Sequence, residues 1–333
     1  MKDIVEDALQ QADEIDQKST DDDPPIDEFK TPVCALVGCG PAGVDRVQTF
    51  DTRVETADIG SHTIYSIAES DMSILIRQWT PRTDAENTDQ PAGGATLDAV
   101  LEDVDLIAVT AHLGDLNSAR LARTVCRQLS EKQIVFVLPT IPPEGLSDNS
   151  RAIFFELVDA AGTTIPYDLA RVGDTFCTSD TTIGSKPVQL ANSLIVEWIE
   201  DVFATVQKSL PAPCLHPSPI SEFLDGGTVS MLYWGTGTRS DVPIALLENA
   251  VSHRLCDGDR RTASGGFGFV RFGAEFTLTE FESLENHSNE MLCSDTVADS
   301  HWVLCGDAET DRGDDCRIGL LLTDIDPASL SFV

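Results

Sequence analysis

Residues 33–50 read VCALVGCGPAGVDRVQTF, an apolar run, a glycine turn and a helical pattern in direct succession. VCALV is an uninterrupted apolar run of the kind a strand buried on both faces requires. GCGPAG follows at once with the spacing GxGxxG, and VDRVQTF then continues with apolar residues at helical intervals. Strand, glycine turn and helix in that order bring backbone N–H groups close to a phosphate at a helix N-terminus. A dinucleotide fold would next place an acid at the end of the second strand, about 20 residues on. Glu69 falls later than that. A flavin or nicotinamide oxidoreductase built on GCGPAG therefore stands as the alternative reading.

Outward from this unit, HTIYSIA near residue 65, DLIAVTA at 105–111 and QIVFVLP at 133–139 are further strand candidates, with LNSARLARTVCRQLSEK helical between them. Strands alternating with helices predict a parallel sheet covered on both faces. KPVQLANSLIVEWIEDVFATVQKSL predicts a long helix that the prolines of LPAPCLHPSP end. Beyond it TVSMLYWG, VPIALLENAVSHRL, FGFVRFG, TLTEFESLENHSNEML, HWVLCGDA and CRIGLLLT read as strand, helix, strand, helix, strand, strand, a small α/β layer beside the first domain. The expected organisation is an N-terminal amphipathic helix and acidic linker over 1–30, a nucleotide-binding-type α/β domain over 31–184, a central helix over 185–210 and a smaller C-terminal α/β domain over 211–333. The N-terminal helix has two readings, docking on its own domain or binding a partner.

The chain has 56 acids against 22 bases, a net charge of −34. Such a surface repels phosphate backbones and disfavours nucleic acid as a partner. The 41% hydrophobic content supports a folded core nonetheless. Only six of the bases are Lys and Asp outnumbers Glu, a balance suited to a cytosol of molar salt, where the Debye length falls to about 3 Å. The nine cysteines contain no CxxC pair and are odd in number, so reduced and mostly buried thiols are expected. No segment approaches the roughly 20 apolar residues of a spanning helix, and the acidic N-terminus does not read as a signal peptide. The expectation is a cytoplasmic protein that does not insert directly into membranes.

Four segments together resemble the FtsZ/tubulin superfamily, and specifically the archaeal type. MKDIVEDALQQADEI resembles its N-terminal helix, VGCGPAGVD its VGCGGAGNN, and DVDLIAVTA the strand leading into its phosphate loop; ENAVSHRLCDGDRRTASGGFGFVRFGAEFTLTEFESL follows its second domain. The resemblance implies a Rossmann-like GTPase domain, a long central helix and a second α/β domain, with GTP or GDP held between successive filament subunits. It assigns nucleotide contacts to Gly38, Cys39, Gly40, Pro41, Ala42 and Gly43, to the AGG turn at Ala92, Gly93 and Gly94, and to Gly114. By the same resemblance Glu144 matches a ribose-contacting acid and Arg171 lies near a DNNR stretch. Asn192 falls on the guanine-reading acid, and Val188 on the stacking aromatic.

Two departures alter what the resemblance implies. After VTA the family reads GMGGGTGTGAAP, whereas this chain reads HLGDLNSARLAR, so Asp115 and Leu116 stand where glycines would close on phosphates. A carboxylate there opposes them electrostatically. Arg120 is a candidate phosphate contact, its alternative being an ion pair with neighbouring acids. The second departure lies after the long helix, where the family's NxDxxD supplies hydrolytic carboxylates. Between Asp201 and Glu222 this chain has no acid, and His216 reads as a solvent-exposed or capping residue as readily as a base. The expectation is a pseudo-GTPase of cell division or cell shape with no catalytic residues and no metal, holding nucleotide weakly or not at all. Its expected partners are active FtsZ-family or division-site proteins, with self-association or an active GTP-binding filament former as rivals.

Overall fold

The computed structural model describes residues 32–56, 64–70, 73–79, 90–91, 101–129, 133–176, 186–207, 223–224, 228–273, 275–293, 301–309 and 313–333. The amphipathic segment 1–30, the AGG turn at 92–94 and the loop carrying His216 lie outside them.

Three apolar runs form the centre of the sheet: β1 (Cys34–Cys39), β5 (Leu106–His112) and β6 (Ile134–Ile141). Their side chains are buried on both faces almost throughout, which is why they read as continuous apolar runs without alternation. β1 pairs in parallel with β5 on one side and with β2 (Ile64–Ser70) on the other, and β5 pairs in parallel with β6. The parallel expectation fails at the edge, where β2 turns into β3 (Ser73–Trp79) and β3 into the two-residue β4 (Gln90–Pro91), both antiparallel. Only two residues separate β2 from β3, and a parallel crossover needs a dozen or more.

Alternate residues of β1 feed two cores. Cys34 and Leu36 face α1 (Gly40–Thr56), α4 (Leu169–Phe176) and the central helix α5 (Lys186–Gln207). Ala35, Val37 and Cys39 face α2 (Leu116–Gln128) and α3 (Asp148–Ala160). The thiols of Cys34, Cys126 and Cys256 are buried, and burial pushes Cys126 up to about 12, so they are packing groups rather than reactive ones.

The later strands extend the same sheet. β7 (Thr163–Thr164) pairs with β6 and, through Thr163↔Thr228 and Thr164↔Val229, with β9 (Thr228–Thr238). The short β8 (Tyr167–Asp168) pairs with the end of β6. The order continues from β9 to β12 (Asp315–Ile325), β10 (Gly265–Gly273) and β11 (His301–Glu309), flanked by α6 (Ile244–Ser252) and α7 (Leu278–Cys293). Pro243 precedes α6, so this helix begins later than the apolar pattern from Val242 predicts.

Helix α5 ties the two halves of the sheet together. Trp198 is fully buried, its ring 4.7 Å from Phe269 and 5.6 Å from Phe267 of β10. One turn further on, Asp201 Oδ1 accepts from Arg271 Nε (2.8 Å) and Arg317 Nη2 (2.7 Å), all three residues being buried. Glu197 and Glu200 meet Arg53 of α1 at 3.2 and 2.7 Å, and Glu197 also meets Arg317 at 3.1 Å. The charges run from α1 through α5 into the last strands.

Candidate functional site

The parallel registers bring three strand ends to one edge: Cys39 lies beside Ala111, Ala111 beside Pro139 and His112 beside Thr140. The chain leaves β1 for β2 on one side, while β5 returns on the other side of β1, so the topological switch point falls between β1 and β5. Crevices at the carboxyl ends of strands at such points are where open α/β sheets take ligands. The loops after β1, β5 and β6 form the walls here.

The glycine loop is built by backbone contact. Gly40 has φ +73°, and a Cβ on it would run into Ser118 of α2. A Cβ on Gly43 would lie 2.6 Å from the carbonyl carbon of Gly38, so those two residues pack main chain against main chain. Cys39 ends β1, and Gly40, Pro41, Ala42 and Gly43 begin α1.

The loop after β5 closes on itself. Asp115 is the N-cap of α2: its carboxylate accepts from the backbone N–H of Asn117 (3.1 Å) and Ser118 (3.3 Å) and from the Ser118 hydroxyl. The Ser118 hydroxyl and these N–H groups hold the Asp115 carboxyl below its ordinary range. The first turn of α2 thus has an anion supplied by the chain itself, at the position where helix N-termini otherwise receive phosphate. Gly114 lies in the turn before it, exposed and against the His112 ring.

Behind this wall sits a buried cation. Arg46 of α1 is fully buried; it donates from Nε to Asn192 Oδ1 (2.7 Å), from Nη1 to Thr110 Oγ1 and to the Ala111 carbonyl (3.3 Å), and from Nη2 to Thr140 Oγ1 (2.8 Å). Burial lowers its pKa to about 10, so it remains a guanidinium at neutral pH. His112 Nδ1 lies 3.0 Å from the same Thr140 hydroxyl. Burial and then the Arg46 charge push His112 below its ordinary value, while Asp115 and Glu144 pull the other way.

The remaining sequence candidates fall in different surroundings. Glu144 is exposed in the loop after β6, within electrostatic reach of His112. Asn192, on α5, is nearly buried and its carbonyl oxygen is engaged by Arg46. Val188, one turn earlier, is 39% exposed. Arg171 on α4 turns to Asp257 at 3.5 Å. Arg120 is exposed on α2 and has no ion pair among the described residues; the arginines one and two turns on, Arg123 and Arg127, take Glu156 of α3 at 3.0 and 2.9 Å. The structure thus gathers the glycine loop, Gly114, Glu144 and Asn192 around the strand ends. Ala92, Gly93 and Gly94 lie outside the described residues. Arg46 has no motif in the sequence; its one signal is a charge inside the apolar helical pattern of Val44, Val47 and Phe50.

No family model matches the chain. Among curated proteins it is 26% identical over 324 residues to cell division protein FtsZ 2 of Halobacterium salinarum, covering 91% of this chain and 79% of that one. It is 25% identical over 316 residues to FtsZ 2 of Haloferax volcanii, covering 88% and 76%. Among solved structures it superposes on an empty FtsZ dimer from M. jannaschii with a TM-score of 0.66 at 15% identity, covering 89% of each chain. On the GTPγS-bound protofilament of CetZ2 from Haloferax volcanii the TM-score is 0.62 at 13% identity, covering 89% and 94%. With the sheet order, the central helix and the glycine loop in place, the chain has the fold of the FtsZ/tubulin proteins and is similar in sequence to the archaeal FtsZ proteins.

Proposed function

We propose that this protein is a filament-associated member of the FtsZ/tubulin superfamily that works in cell division or cell shape without hydrolysing GTP. The observation that carries this reading is the Asp115 carboxylate on the N-terminus of α2. A γ-phosphate brought to the same N–H groups would have to displace an ionised carboxylate, and the two anions repel. The sequence between Asp201 and Glu222 adds to it, since a subunit without an acid there has none to contribute to a neighbour's nucleotide. The filament role rests on the relatives, which include a cell division protein and a protofilament former. GTP and GDP remain ligands of the family, and weak or absent binding is the expectation for this chain.

The test is phosphate release from an active haloarchaeal FtsZ titrated with this protein in molar KCl, together with co-sedimentation. Co-sedimentation with a falling rate is the expected result, because inserted subunits offer incomplete interfaces. Turnover of GTP by this protein alone would overturn the reading in favour of an active filament former. No change in rate and no co-sedimentation would remove the association with active filaments.

A further inference from the structure

The buried arginines of this protein are not alike. Arg271 and Arg317 share the Asp201 carboxylate. Arg46 is more deeply buried than either, yet the groups that accept from it are all neutral: one carboxamide, two hydroxyls and one peptide carbonyl. Burial lowers the Arg46 pKa, and the neighbouring Asp45 carboxylate favours its charge only through space; a buried cation with no acid among its hydrogen-bond partners is costly, and it persists only where those hydrogen bonds are well placed. The placement here is specific. Each nitrogen of the planar fork reaches a different element: Nε reaches α5, Nη1 reaches β5 and Nη2 reaches β6, while the side chain itself stands on α1. Those four elements thus meet at the carboxyl ends of β5 and β6, beside the switch point of the sheet. Two turns along α1, Arg53 engages α5 again through Glu197 and Glu200.

We propose that the Arg46 guanidinium is a built-in ligand of this crevice, a planar cationic donor that joins α1, β5, β6 and α5 from within in place of an external molecule. The proposal deepens the reading above, on which it rests in one respect: a crevice held together by its own side chain keeps its shape whether or not nucleotide is bound. It also implies a site for small guanidinium compounds once the side chain is removed, since the acceptors Asn192 Oδ1, Thr110 Oγ1, Ala111 O and Thr140 Oγ1 come from elements that Arg46 does not itself build.

The experiment is thermal unfolding of the full chain in molar KCl with Arg46→Ala, using ethylguanidinium chloride as probe and ethylammonium chloride as control. Both are used at tens of millimolar, far below denaturing concentrations. Arg46→Ala should lower the melting temperature by about 4 °C or more, for loss of buried hydrogen bonds in a chain of this size. Ethylguanidinium should restore part of that loss, ethylammonium should not, and the restoration should vanish when Asn192→Ala is added. A variant that melts like the parent, or that both cations restore equally, would overturn the proposal. Should Arg46→Ala fail to fold, Asn192→Asp in the parent decides. It places a carboxylate opposite a guanidinium whose desolvation is already borne, and should raise the melting temperature; a fall would overturn the proposal. Neither arm contains nucleotide, so failure here leaves the reading on GTP untouched, and turnover of GTP by the protein would leave these melting results to be judged by themselves.

Discussion

Replacing Asp115 by Ala removes the acceptor of two backbone N–H groups and of the Ser118 hydroxyl, and so uncaps α2. Loss of an N-cap costs about 1 kcal/mol, and the favourable charge at the helix N-terminus contributes a further 0.3–1 kcal/mol, roughly, at low salt. Asp115 is partly exposed, so molar KCl screens the second contribution and leaves about 1 kcal/mol. For a chain of this length that corresponds to about 2 °C in melting temperature. Asp115→Asn keeps a capping oxygen and should melt within about 1 °C of the parent in molar KCl. The decisive comparison adds GTP. A ligand at 100 times its Kd would stabilise the folded state by about 2.7 kcal/mol, several degrees on the same scale. The parent should show no such shift, whereas Asp115→Gly, which removes both the internal anion and the Cβ, should show a larger one than the parent. Differential scanning fluorimetry in molar KCl with GTP and with matched sodium phosphate separates nucleotide from bulk anion. A parent stabilised by GTP as strongly as Asp115→Gly, or an Asp115→Ala that melts unchanged, would refute the argument that the internal carboxylate occupies the helix terminus.

Asp201→Asn leaves Arg271 and Arg317 buried without their shared carboxylate and should cost about 3–5 kcal/mol, read by chemical denaturation in KCl. His112 titrates below its ordinary value, so its contribution to stability is complete above the unfolded pKa of about 6.5 and is lost as the pH falls through that value towards the folded one. Arg46→Met removes one cause of that lowering, beside Asp115, Glu144 and the Thr140 contact that oppose it, and should move the His112 NMR titration upward; an unchanged midpoint would count against the placement of Arg46. With a net charge of −34, the melting temperature should rise steadily from 10 mM to molar KCl, as the Debye length contracts from about 30 to 3 Å. A flat profile would remove the halophilic reading.

Local chemistry alone determined much of this protein. VCALV, DLIAVTA and QIVFVLP are short, β-branched apolar runs bounded by turn or polar residues, which favours strands buried on both faces, and they became β1, β5 and β6. The glycine turn, the long helix α5 and the strands of the second half were equally legible, since apolar period and helix breakers act within a few residues. Tertiary structure alone decided the rest. Asp115 reads in sequence as a charge opposing a phosphate, and only the start of α2 next to it makes that charge a cap. Arg46 reads as a polar interruption of an apolar face, and its partners lie 64, 94 and 146 residues away. The antiparallel β3 and the β7–β9 pairing that continues the sheet depend likewise on which edge is left open once the central strands have paired. Apolar burial is additive along the chain and leaves its period in the sequence, whereas a hydrogen bond between distant residues leaves no period at all.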